Sequence, residues 1–406
     1  MKTLRFLSLV LSFAMLFLFC SCTDTAEKLT ADFVSEITGE KPGAEFVKAY
    51  ASFAAELFAR ARKTGENSLV SPLSVVCALA MAFTGAKGET LSQFEKCFDR
   101  SGGLGIDGID AGIAGTISGL YRSESAYTDA ANSIWVKKSP DIRLDGGFIE
   151  KNERYFRSDV YAVPFTDRTL EEINGWVSAN TDGMIKKILD EVTPDTVMVL
   201  INAILFEAKW SRGYSEVRAR DFKKADGSVV KVDMMCSDEY TFISSKDAVG
   251  FIKNYAGNGY SFVAVLPNGD LSGYLKSFDG DEMTALLSSA KLMTVETGTP
   301  VFGYDFEIDL VETLTAMGIT DAFGGAADFS GMFETGPEAA ISKVIHKTRI
   351  EVNTDGTKAA AATAVEMTKS AMPINDPVKV ILDRPFLYMI IDNNSNLPMF
   401  IGTFEG

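Results

Sequence analysis

One run restricts the fold of this chain more than any other. Val197–Phe206 is aliphatic or aromatic at every position except Asn202. It does not alternate and it is shorter than a buried helix, so it reads as a strand covered on both faces. Such a strand needs a layer above the sheet and a layer below it, hence a large domain. With 406 residues, 46% of them hydrophobic, the chain can supply one.

The flanking patterns fill in the layers. Phe46, Val47, Tyr50, Phe53, Leu57 and Phe58 recur at helical spacing between Ala44 and Lys63. Ser71-Pro72 opens a very apolar segment, a start signal for a buried helix. Thr169 and Glu172 form a capping-box pattern ahead of Ile173, Trp176 and Val177. The glycine-rich stretch Gly102–Gly119 assigns itself to nothing. Strand-like runs then recur at 261–266, 301–310, 344–352, 378–382, 386–392 and 398–404. Helices dominate the first half and strands the second, with no repeat and no long linker after residue 43. The fold class is α+β, in one domain spanning 44–406.

Charge and histidine content remove whole classes of function. Net charge is −16, with no Lys/Arg cluster, so no nucleic-acid partner is expected. His346 is the single histidine. Multi-histidine zinc sites lack their ligands, and a Ser-His-Asp or Cys-His enzyme would rest on His346 alone. Neither G-x-S-x-G nor H-E-x-x-H occurs. The reading is a protein that is not an enzyme and uses no cofactor and no metal.

Residues 1–21 have the form of a signal peptide. Lys2 and Arg5 precede an uncharged, largely apolar stretch from Phe6 to Phe19, short for a membrane span. A buried N-terminal helix is the plainer alternative, but nothing amphipathic marks it. The run ends in Phe19-Cys20-Ser21-Cys22, which resembles the cleavage box of bacterial lipoproteins. Cys22, behind the small Ser21, fits lipidation better than Cys20 behind Phe19. Residues 22–43 then read as a polar, lipidated tether, and the expected location is the cell envelope, periplasmic or surface-exposed. Cleavage would leave a charge of about −18. Cys77, Cys97 and Cys236 sit among apolar neighbours and are expected as buried free thiols.

Residues 353–377 are the most unusual stretch. Their alanines permit a helix, yet Gly356 and Pro373 bound the stretch, and Thr357, Thr363, Val365 and Thr368 favour extended chain. At period two, Thr357, Ala359, Ala361, Thr363, Val365 and Met367 are all uncharged, whereas the other parity holds Lys358 and Glu366. That is the pattern of a strand with one buried and one solvated face. It lies in a segment with exposed-looking ends, so it is both a loop and a latent strand.

These residues resemble the serpin family over roughly Ala44 to Gly406. Gly356-Thr357-Lys358-Ala359-Ala360-Ala361 looks like its hinge, and Leu382-Asp383-Arg384-Pro385-Phe386-Leu387-Tyr388 like the signature after its reactive loop. Asn67-Ser68-Leu69-Val70-Ser71-Pro72-Leu73-Ser74 resembles the start of its central helix. The run 199–206, followed by Lys209-Trp210, resembles its central strand. Met317-Gly318-Ile319-Thr320 and Asp328-Phe329-Ser330-Gly331-Met332 precede His346-Lys347 in family order.

The resemblance implies three β-sheets, eight or nine helices and an exposed reactive-centre loop at about 356–377. It implies a suicide-substrate inhibitor: a protease attacks the loop, and the freed arm inserts into the main sheet and traps the acyl-enzyme. The implied partners are a serine protease, trypsin-like or elastase-like, or a papain-like cysteine protease, with a lipid bilayer through the anchor. A monomer is expected. The alternative is a non-inhibitory serpin-fold binding protein. The hinge, Gly356 to Thr363 with Ala362, carries small residues on its inward parity. Lys358 replaces the family's usual glutamate on the outward parity, so only a surface-charge effect is expected of it. Asp233 stands where the family usually has proline.

Counting along the arm places the scissile bond at Ser370-Ala371 or, one residue shorter, at Lys369-Ser370. Met372 is a third recognition residue, and Lys369 could equally be a solubilising charge. By resemblance, Ser71, Ser74, Asn202 and His346 form a polar cluster where the sheet opens, with Trp210 above it at the breach. The plainer readings are a satisfied core histidine for His346 and a core aromatic for Trp210.

Overall fold

A computed structural model describes residues 25–30, 39–120, 123–193, 196–341, 343–357 and 377–406. Its helices, in chain order, are α1 (Ala44–Ala61), α2 (Pro72–Phe83), α3 (Gly88–Phe98), α4 (Gly105–Ser118) and α5 (Gly146–Phe156). Then come α6 (Asp167–Asn180), α7 (Leu271–Leu275), α8 (Gly280–Ser288) and α9 (Val311–Ala316). The first strands are β1 (Glu27–Lys28), β2 (Ser68–Val70), β3 (Ala126–Lys137), β4 (Arg143–Leu144), β5 (Ser158–Val163) and β6 (Met198–Lys209). Next are β7 (Glu216–Lys223), β8 (Val229–Ser244), β9 (Ala248–Asn254), β10 (Tyr260–Pro267), β11 (Lys291–Pro300) and β12 (Phe302–Asp309). The last are β13 (Phe333–Thr335), β14 (Ile345–Val352), β15 (Gly356–Thr357), β16 (Val378–Ile381), β17 (Phe386–Asp392) and β18 (Leu397–Phe404).

The run that opened the sequence reading is β6, near the centre of a seven-stranded main sheet ordered β1-β5-β3-β6-β15-β14-β12. Its two faces enter different cores. Phe206 and Ala208 join the large core with Met198, Leu200 and Ile204 packed on it, whereas Ile201 joins a smaller core with Trp135, Ile173 and Val177 under α6. Absence of alternation in the sequence is thus burial on both sides. A nine-stranded ladder, β16-β11-β8-β9-β10-β17-β18-β2 with β7 on β8, makes the second and third sheets continuous. The sixteen-residue β8 joins them, pairing β11 and β7 along one part and β9 along another.

Below the main sheet, α2 is buried along almost its whole length, with Ser71 as its N-cap and Pro72 in its first turn. The glycine stretch is α4. A Cβ at Gly112 would stand 2.1 Å from the Phe46 ring, so glycine there is the condition for α4 to lie against α1. The capping pair differs from the expectation. α6 starts after Thr166, whose N–H donates to Thr169 Oγ1, because the chain turns three residues earlier than the Thr169/Glu172 pattern suggested.

Part of the segment expected as a tether is docked. Glu27 and Lys28 pair with Ala162 and Tyr161, and Leu29 N–H donates to Val160 O. Lys28 lies 2.9 Å from Asp159, and Lys138 lies 2.5 Å from Glu27. The open edge of β5 supplies backbone partners that a polar composition does not reveal. Residues 1–21, expected as a signal peptide, and the lipidation candidate Cys22 lie outside the described residues, as does Cys20. Cys77, Cys97 and Cys236 are buried free thiols, and burial pushes the Cys97 thiol up to about 12.

Candidate functional site

The late stretch begins as a tight turn. Asn353 Oδ1 accepts from the N–H groups of Asp355 (2.9 Å) and Gly356 (3.2 Å), and Asn353 N–H donates to Gly356 O at 3.0 Å. An asparagine closing its own turn is the usual use of that side chain. The chain then enters the main sheet at Gly356 and Thr357, the last described residues before 377. Gly356 and Thr357 pair with Lys209 and Ala208 of β6, and Thr357 pairs with Val352 of β14. A Cβ on Gly356 would stand 2.1 Å from Ala208 O, so no larger residue fits at this entry. Thr357 points inward, 3% exposed, with its Oγ1 2.6 Å from Tyr255 OH.

Trp210 closes the top of this arrangement. Its indole N–H donates to Asn353 O at 2.8 Å and its backbone N–H to Asp355 O at 3.0 Å. The ring stacks on Tyr255, with centroids 4.5 Å apart and planes at 10°. Trp210 is therefore both a core aromatic and the clamp on the turn that aims the hinge. The described hinge ends at Thr357. Lys358, Ala359, Ala360, Ala361, Ala362, Thr363, Lys369, Ser370, Ala371 and Met372 lie outside the described residues.

Below Thr357, no ladder among the described residues pairs β6 directly with β14. A cavity of about 440 Å³ lies there, lined by Ala78 and Leu79 of α2, Met198 and Leu200 of β6, Asn202 and His346. Its two sides are tied down separately. On the β14 side, Ser71 N–H donates to His346 Nε2 at 3.1 Å, and Thr348 Oγ1 donates to Leu69 O at 2.8 Å. Ser71 Oγ donates to Met399 O at 2.8 Å and accepts from Ser74 N–H at 3.3 Å. On the β6 side, Asn202 Nδ2 donates to Asn132 Oδ1 at 2.6 Å.

The expected polar cluster is thus split. Ser71, Ser74 and His346 meet, while Asn202 belongs to the other side of the slot. An Nε2 that accepts must be unprotonated, so the neutral ring carries its proton on Nδ1. Burial pushes His346 down to about 4. Asn202 Oδ1 is buried without a hydrogen-bond partner among the described residues. Asn132, Tyr255 and the Lys253–Glu239 pair behind Trp210 were missed from sequence. Asn132 carried no signal of its own, because its strand also holds Thr128, Asp129 and Ser133.

Residues 48–405 match the family described as Serpin (serine protease inhibitor). The chain belongs to the serpin family. It is 33% identical to Serpin B8 of Homo sapiens over 362 residues, 84% of this chain and 92% of that one. Among solved serpin structures, the thermophilic serpin tengpin in its native state is 38% identical, with TM-score 0.87, covering 94% of this chain and all of that one. Tengpin in its latent state gives TM-score 0.80 over 91% of this chain and all of that one.

Proposed function

We propose that this serpin is a suicide-substrate inhibitor of serine proteases, exported and held at the cell envelope by a lipid on Cys22. The observation that carries the inhibitory reading is strand β15, whose described residues Gly356 and Thr357 enter between β6 and β14 at the head of a slot that continues below them. Once the loop is cut, the pairings already made fix the register of everything that follows. Continued antiparallel, they bring Ala359 opposite Phe206 and Ile350, and Thr363 opposite Asn202 and His346. Val365 then reaches Leu200 and Val344, and Met367 reaches Met198 at the cavity.

The chemistry matches at each level. Alanine meets large core residues, and the larger Val365 and Met367 meet the cavity that can take them. The Thr363 hydroxyl arrives beside the unpartnered Asn202 Oδ1. About ten new ladder bonds at about 1 kcal/mol each supply on the order of 10 kcal/mol of driving force. The intact form is then held by kinetics. No core-facing position from Thr357 to Met367, the last to meet β6, carries a charge, which favours inhibition over a purely binding role.

The test is denaturing electrophoresis after mixing the protein with trypsin-like and elastase-like proteases. A heat- and detergent-stable complex is expected with at least one of them. Complete cleavage near Ser370 by every protease, with no complex, would overturn the proposal. The chain length of the fragment released from the complex decides between Lys369-Ser370 and Ser370-Ala371. For the anchor, Cys22→Ser is expected to leave the precursor unprocessed or free the protein from membranes, since acyl chains contribute about 0.8 kcal/mol per buried methylene. Unchanged processing and membrane association of that variant would reject the anchor.

A further inference from the structure

Behind Trp210 lies a buried ion pair that the hinge geometry described so far does not use. Lys253 Nζ, on β9, is 2.5 Å from Glu239 Oε1 on β8, with side chains 1% and 9% exposed. Ser237 Oγ also donates to Glu239 Oε1 at 2.6 Å, so the carboxylate is held from two sides. The ammonium lies 4.2 Å from the centroid of the Tyr214 ring and 5.4 Å from that of Trp210. Trp210 and Tyr214 meet edge to face at 5.8 Å. The nearby guanidinium of Arg212 is engaged elsewhere, over the Tyr240 ring at 4.5 Å.

A desolvated ammonium facing two rings attracts both and fixes their planes. Those planes matter because Trp210 stacks on Tyr255 and holds Asn353 O, while Tyr255 holds Thr357. Replacing a buried ion pair by neutral groups is often no loss to stability, so stability alone does not account for its place here.

We propose that Lys253, oriented by Glu239, is a positioning residue for the hinge: it fixes the Trp210–Tyr214–Tyr255 stack and so holds the Asn353–Gly356 turn that aims β15. Without it the turn at Asn353–Gly356 loosens, and the intact loop feeds into the slot before any protease arrives. This rests on the inhibitory reading above, but part of its test does not.

The decisive variant is Lys253→Met combined with Glu239→Gln, which removes both charges and leaves no ion unpaired. Three quantities are measured on uncleaved protein: hydrogen exchange at the Trp210 amide, the rate at which a thermally hyperstable uncleaved species forms, and thermal unfolding. The exchange and conversion rates are expected to rise about tenfold with the unfolding midpoint little changed, a factor within reach of a desolvated cation–π contact. Lys253→Arg should restore the wild-type rates. Tyr214→Leu should reproduce the loosening and Tyr214→Phe should not, which keeps the question open to test if the double variant does not fold. Wild-type exchange in both the double variant and Tyr214→Leu would overturn the proposal. So would acceleration only in proportion to a fall in global stability. If the wild type forms no complex with any protease, the inhibitory reading fails while amide exchange still decides whether Lys253 holds the hinge.

Discussion

Under the proposed inhibitory mechanism, Thr357→Arg is expected to give a substrate in place of an inhibitor. Thr357 is already inside the sheet, against Tyr255 and flanked by Ala208 and Val352. An arginine cannot stay there, so β15 is expected to leave the sheet while the rest of the fold keeps its unfolding temperature. On cleavage, that arginine must be the first inward residue to re-enter, unpaired, which costs about 3 kcal/mol or more. The cost falls where few ladder bonds have formed, so insertion slows by about a hundredfold and the acyl-enzyme hydrolyses first. The measurement is the ratio of stable complex to cleaved protein against one susceptible protease. Inhibition equal to wild type would show that the loop does not insert in this register.

Lys358→Glu is the matched control, and the structure revises what to expect of it. Parity alone made Lys358 a bystander facing solvent. The next step of the register places it between Glu207 of β6 and Glu351 of β14, the latter also held by Arg349. The lysine thus complements two glutamates, and reversing it brings three carboxylates together. Each unfavourable cross-strand pair is worth about 0.2–1 kcal/mol. An intermediate, several-fold loss that salt relieves is therefore expected, well short of the Thr357→Arg effect.

Acid should weaken the gate through His346. In the unfolded chain this ring titrates near its ordinary value of 6.5, and in the fold not until about 4. Between those values the unfolded state binds the extra proton. The stabilising contribution is thus complete above about pH 6.5 and lost as pH falls toward 4. The slope is about 1.4 kcal/mol per pH unit, about 3 kcal/mol in all. Burial holds the carboxyls of Asp110 and Glu405 above their usual range, which acts in the opposite sense. The measurement is therefore the difference between wild type and His346→Gln in denaturant midpoint across this window. Identical pH dependence in the two would dismiss His346 as the titrating group. Protonation also removes the acceptor for Ser71 N–H, so uncleaved insertion should accelerate over the same range.

Which segments are strands and which are buried was legible because local pattern records burial. The apolar run became β6, the later strand-like runs became β10, β12, β14, β16, β17 and β18, and Ser71-Pro72 did open a buried helix. The inward parity at Thr357 was readable for the same reason, since a side chain's face follows from its place in a period of two. Partnerships were not readable, because they join residues far apart in sequence. His346 meets Ser71 rather than Asn202, and Asn202 meets Asn132; that an inserted Lys358 would meet Glu207 and Glu351 follows only from the Thr357 register. The docking of Glu27–Lys28 on β5 was equally hidden, since an edge strand offers its backbone to polar and apolar sequences alike. The sequence by itself determined the two-faced strand β6, the buried helix after Ser71, the later strand-like runs and the small inward parity at the hinge. Tertiary structure alone decided where the latent strand enters the sheet, because Gly356 fits against Ala208 O and the Trp210–Tyr255 stack holds the turn before it only when distant strands are packed together.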